Sequence, residues 1–178
     1  MISAINRGRK SGKVSLVLLA MALLFSYCGS AQSRLQRPDT SSWTLYRIQE
    51  ASAQWMTPAD WNATSKDAAI ELDPPERYPA MRFAAVDGGL RLSHKAALEK
   101  EMNDMISFWT PVEKLKVNGM DTWFWTGRGG NAGLRYELHV WLIDRGNASL
   151  VVLAFIPEEQ VPTAGPVAWS VVSTIEGY

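Results

Sequence analysis

Residues 112–126 read VEKLKVNGMDTWFWT, and the reading of that stretch decides the fold. From Val112 to Val117 and again from Met120 to Thr126 the side chains follow a period of two, the signature of a strand with one covered face. Between the two runs stands Asn118-Gly119, the dipeptide best able to take positive φ at both central positions of a type I′ turn, so the stretch is an antiparallel hairpin. The residues beyond it continue the meander. Leu134 to Asp144 is a long strand, Arg145-Gly146-Asn147 turns it, and Ser149 to Ile156 is apolar on both faces, as a central strand must be. The glycine-rich segment Gly127 to Gly133 reads as a flexible loop between strands.

Working back toward the N-terminus, Ala80 to Val86 is a strand ended by Asp87-Gly88-Gly89. Ala69 to Leu72 is a shorter one that stops at Asp73-Pro74-Pro75, because proline gives the ladder no donor. Ala51 to Met56 and Trp61 to Thr64 flank Thr57-Pro58-Ala59-Asp60-Trp61, which reads as a turn between antiparallel strands. One segment changes period: from Ser93, the apolar residues Leu98, Met102, Met105, Ile106 and Trp109 recur at helical spacing, which predicts an amphipathic helix with Ser93 as N-cap and Pro111 beyond its end. Pro157 to Gly165 reads as a loop, and Pro166 as the first position of a closing helix that runs to Ile175. With no alternating strand–helix rhythm, the fold class is α+β, an antiparallel meandering β-sheet flanked by helices.

The 178 residues carry 18 Lys+Arg against 18 Asp+Glu, but four of the bases, Arg7, Arg9, Lys10 and Lys13, fall within residues 1–31, which hold no acid. The remainder is therefore net acidic by four, which argues against a nucleic-acid partner. A basic head, an apolar run from Val14 to Tyr27 and the small residues Gly29, Ser30 and Ala31 form the three-part layout of a secretory signal, with cleavage after Ala31. The run is short of the roughly 20 apolar residues that a membrane span needs. Residues 1–31 are thus read as a signal peptide, 32–42 as a flexible polar arm, and 43–178 as one globular domain. Cys28 carries two readings. It is either removed with the leader, which leaves a domain without cysteine, or lipidated, since a Cys followed by Gly-Ser after an apolar run resembles a bacterial lipoprotein site although Tyr27 is bulky before it.

Three segments resemble the PsbP-like α/β/α sandwich, a fold shared with Mog-type proteins and with small bacterial envelope proteins of the DcrB group. They are Ala53-Gln54-Trp55-Met56-Thr57-Pro58-Ala59-Asp60-Trp61 near the start, Val117-Asn118-Gly119-Met120 opening the late meander, and Ser170-Val171-Val172-Ser173-Thr174-Ile175 at the close. The resemblance covers Trp43 to Ile175 in element order. It implies an accessory or binding protein and brings no catalytic residue with it.

The motifs that carry chemistry elsewhere are missing from the chain. No nucleophile elbow, phosphate-binding Walker loop or His-Glu-x-x-His helix occurs. His94 and His139 have no second histidine four residues on, and neither assembles a zinc or iron site. Gly127-x-Gly129-Gly130-x-x-Gly133 is followed by a strand where a phosphate loop needs a helix. Glu71, Asp73 and Glu76 match no calcium loop and read as a solvated edge. No cofactor and no metal is expected. The most suggestive feature is aromatic: Trp123 and Trp125 share one face of their strand, and Arg135, Glu137, His139 and Trp141 share one face of the next. If those sets meet, they form a Trp-rich binding surface; the competing reading buries the indoles as core.

These features lead to an expectation of a non-catalytic exported envelope protein, periplasmic or secreted, that binds a small molecule or protein and touches the membrane only through a lipid on Cys28. Two alternatives stand beside it. One is a hydrolase using Glu137 and His139 as an acid/base pair, which requires both side chains to line a concave pocket. The other is a lipid-anchored assembly factor that docks through the Trp-rich sheet face.

Overall fold

The computed structural model describes residues 38–66, 68–131 and 133–178. The expected leader, its Cys28 and the first part of the arm lie outside the described residues. The elements in chain order are β1 (Trp43–Ile48), β2 (Ala53–Pro58), β3 (Asn62–Lys66), β4 (Ala69–Asp73), β5 (Ala80–Asp87), α1 (Leu92–Glu101), β6 (Ile106–Trp109), β7 (Glu113–Val117), β8 (Met120–Asn131), β9 (Leu134–Asp144), β10 (Ala148–Pro157), α2 (Val161–Val172) and β11 (Glu176–Gly177).

The strands form two antiparallel sheets. The larger has the order β3-β4-β5-β10-β9-β8-β6, with β7 paired to the other end of β8, and the smaller has the order β1-β2-β11. β10 lies at the middle of the large sheet because SLVVLAFI can bury both of its faces: Leu150, Val152, Ala154 and Ile156 enter one core, Val151 and Leu153 the other. The first face is covered by the small sheet and by α2, through Ala168, Trp169, Val171 and Val172. There the ring of Trp55 from β2 lies parallel to that of Phe83 from β5, at 4.1 Å between centroids. The second face, with Leu138, Val140 and Leu142 of β9, packs against Trp125, Met102 and Ile106. α1 belongs to this side but buries none of its own residues. The architecture is the α+β sandwich expected from the sequence.

The Asn-Gly hairpin forms as expected, with φ of 47° at Asn118 and 83° at Gly119. Four other expectations need correction. β2 and β3 exist, but they are not a hairpin: β2 pairs with β1 and β11, β3 with β4, and Thr57 to Trp61 is the corner where the chain changes sheets. The corner is held by Trp61 N–H donating to Pro58 O, and it turns the Trp61 indole into the core.

The helix from Ser93 stops at Glu101, and the residues from Ile106 to Trp109 are strand. A β-bulge between Ile106 and Phe108 explains the difference. It inserts one extra residue, so Ile106 and Trp109 point to the same face at a separation of three, which mimics helical spacing. The cap is also shifted, to Arg91, with no side-chain capping bond.

Gly127 to Asn131 is not a loop but the end of β8, and Gly127, Gly129 and Gly130 stand where a Cβ would meet neighbouring atoms. A Cβ on Gly129 would lie 1.8 Å from the carbonyl oxygen of Met105, so only glycine lets β6 cross so closely. Finally, α2 begins at Val161 rather than Pro166, with a proline in its first turn, and ends at Val172, leaving the tail to add β11 to the small sheet.

Candidate functional site

The register of β8 on β9 decides what the predicted surface becomes. Trp123 pairs with Leu142, Trp125 with Val140, Phe124 with Trp141, Thr126 with His139 and Arg128 with Glu137. Paired residues share a face, so the two Trp of β8 lie on the opposite side of the sheet from Arg135, Glu137, His139 and Trp141. A register one residue different would have joined them; this one does not. The Trp-rich face expected from sequence is therefore absent as a surface. Trp125 is 1% exposed on the second face, with the Lys95 ammonium 5.9 Å from its ring centre, and Trp123 packs partly buried beside it. Trp141 is fully buried on the first face, edge-on to Trp169 of α2 at 5.1 Å.

Glu137 and His139 do come together. His139 Nε2 lies 2.7 Å from Glu137 Oε1, and Arg128 Nε donates to Glu137 Oε2 at 2.9 Å. Arg128 was not among the sequence candidates; it sits in the glycine-rich segment, and only the cross-strand register reveals it. The bond from His139 is the largest influence holding the Glu137 carboxyl below its usual range, burial opposes it, and Arg128 adds to the lowering. Above the pair, Phe124 and Trp141 each present ring edges to the imidazole at 5.7 Å, and Gly165 of α2 faces its Cε1. Glu137 is 8% exposed and His139 6%.

This geometry does not meet the requirement set by the hydrolase alternative. Both carboxylate oxygens are engaged, His139 Nδ1 is buried with no hydrogen-bond partner, and Phe124 and Trp141 pack against the imidazole. The nearest hydroxyl across the ladder, Thr126, is engaged with Thr110. No nucleophile, base and open substrate position converge here. Arg135 stands apart, exposed, 3.9 Å from Glu158. Among the described residues no group of three or more His, Cys, Asp or Glu is placed to hold a metal ion.

One hollow, of about 380 Å³, is lined by Arg128, Arg135, Tyr136 and Glu158, and other open space lies farther off. On the second face, between the sheet and the chain leaving α1, is a groove of about 400 Å³. Leu153 and Phe155 of β10 form its floor, and Met102 and Met105 one wall. A smaller hollow of about 140 Å³, which shares Arg82, Glu101, Met102 and Leu153 with it, continues under Leu98. The groove opens where α1 rests over this face with Leu98 only partly buried against it and no residue of the helix fully buried.

No family model matches the chain, and no curated protein matches it. Solved structures do. Cyanobacterial PsbP (CyanoP) from Synechocystis sp. PCC 6803 superposes with a TM-score of 0.58 at 10% identity, over 78% of this chain and 94% of that one. A protein from Bacteroides thetaiotaomicron VPI-5482 superposes with a TM-score of 0.55 at 17% identity over 77% of this chain; the match spans 49%, about half, of that longer chain. LpqN of Mycobacterium tuberculosis, involved in cell envelope biogenesis, gives 0.47 at 12% identity over 77% of this chain and 86% of its own. The likeness to CyanoP shows that the fold is PsbP-like. At such identities the likenesses show the fold alone.

Proposed function

We propose, from the PsbP-like fold as premise, that this chain is an exported, non-catalytic envelope accessory protein that works by binding. The observation that carries the reading is a buried Glu137–His139 pair standing apart from an open groove with an apolar floor. Glu137 and His139 are buried, with Phe124 and Trp141 packed against the imidazole, while the groove beside α1 stays open. Pockets of a few hundred Å³, mostly apolar with a few polar groups at the margin, are what small ligands occupy. The leader-like first 31 residues support export, and among the described residues no helix is long and apolar enough to cross a membrane.

The test is native mass spectrometry of the protein released from the envelope of its own cells, compared with a Met105→Trp variant whose larger side chain fills the groove. The expected result is an added mass on the wild-type chain that the variant lacks. A bare wild-type chain, or the same adduct on both, refutes binding in the groove. The mature N-terminus read from the same spectra distinguishes cleavage after Ala31 from a lipid on Cys28.

A further inference from the structure

We infer that the groove beside α1 takes a small cationic amphiphile, with its apolar body on the sheet and its positive head at the mouth. This deepens the binding reading above and rests on it. The size of the space selects the class of ligand. About 400 Å³, extended by about 140 Å³, falls within the range of small-molecule sites. A protein partner would instead need an apolar face large enough to bury roughly 1,200 Å² or more in total.

The walls select the chemistry of the body. Leu153, Phe155, Met102 and Met105 offer no donor and no acceptor stronger than a thioether, and the two thioethers are flexible enough to mould around a chain or ring. The rim selects the charge. Three carboxylates, those of Glu71, Asp73 and Glu101, stand around the mouth against one guanidinium, that of Arg82. Arg82 reaches only Glu71, and only at 3.9 Å, with both groups more than a third exposed. The carboxylates of Asp73 and Glu101 have no ion-pair or hydrogen-bond partner among the described residues. The mouth therefore carries two uncompensated negative charges above a low-dielectric floor, an arrangement that attracts a cation and repels an anion.

Three single-chain amphiphiles with the same dodecyl tail, each kept below its micelle concentration, test this. They are dodecyltrimethylammonium, dodecyl maltoside and dodecyl sulfate. Affinity is measured by calorimetry on the purified protein, and location by the methyl signals of Met102 and Met105 in ¹³C-methyl-methionine NMR. The ammonium is expected to bind about tenfold tighter than the maltoside, as two exposed charge contacts of ordinary strength would give. It should shift both methyls and weaken as salt rises. The sulfate should bind weakest.

The triple variant Glu71→Gln, Asp73→Asn, Glu101→Gln alters only partly or fully exposed side chains, and it should bring the ammonium down to the maltoside's affinity while leaving the maltoside unchanged. If the maltoside or the sulfate binds as tightly as the ammonium and shifts the same methyls, the charge inference is overturned and groove binding stands. If none of the three shifts Met102 or Met105, both are overturned.

Discussion

Asn118 gives the sharpest test of how the fold is closed. It occupies the first central position of the β7–β8 turn with φ of 47°, and its Nδ2 donates two hydrogen bonds, to Ser173 O and to Ile175 O, each at 2.8 Å. One side chain thus ties the turn to the chain emerging from α2, just before β11 joins the small sheet. Replacing it by Asp keeps the shape and the tolerance for positive φ, but exchanges a two-proton donor for an acceptor facing two acceptors. Two net hydrogen bonds at about 1 kcal/mol each are lost, and a carboxylate is held against two carbonyl oxygens, so Asn118→Asp should destabilise by about 3–4 kcal/mol.

Asn118→Gly separates the two roles of this residue. It preserves the backbone geometry and removes only the bonds, so it should cost about 2 kcal/mol, while Asn118→Ala adds the left-handed penalty of about 1 kcal/mol. Urea unfolding followed by tryptophan fluorescence reads these as shifts in midpoint at constant slope. The expected order of stability is Asn, Gly, Ala, Asp. An Asp variant as stable as the parent, or a Gly variant more stable than it, refutes the claim that the amide clamps the tail.

Two further substitutions probe the strand crossing and the buried Glu137 carboxylate. Gly129→Ala would drive a methyl against the Met105 carbonyl at 1.8 Å and should detach β6 from β8, at a cost of about 3 kcal/mol or more, seen as a lower urea midpoint; an unchanged midpoint contradicts the close approach. The depressed Glu137 carboxyl makes a contribution to stability that is fully present above its ordinary value of 4.5 and is lost as pH falls through its lower folded value. Glu137→Gln should therefore be less stable than the parent at neutral pH, and the gap should close progressively below pH 4.5. A gap that is constant from neutral to acid would show that the carboxylate charge contributes nothing.

Much of this fold was legible because its strongest signals are local. Asn118-Gly119 fixes a turn type by φ alone, and the run from Ser149 to Ile156 admits only a strand covered on both sides. The misleading signals were local too. The bulge in β6 gave a strand the spacing of a helix, and Gly127 to Gly130 looked like a loop because clearance for a crossing strand and freedom of a loop draw on the same residue. The candidate surface failed for a longer-range reason. Faces of single strands follow from alternation, but which faces meet depends on register, and Asn131 opposite Leu134 sets it at a turn that composition had stretched into a seven-residue loop. Arg128, bonded to Glu137, and Gly165 of α2, which faces the His139 ring, are brought there only by tertiary packing.

The outer margin of the large sheet at β3 has a consequence of its own. Every residue of Asn62-Ala63-Thr64-Ser65-Lys66 is exposed. A foreign strand that zipped onto it would gain main-chain bonds but cover only an amide, a methyl, two hydroxyls and an ammonium group. Growth of the ladder in that direction wins no dry interior, so the composition of five residues guards the domain against templated aggregation.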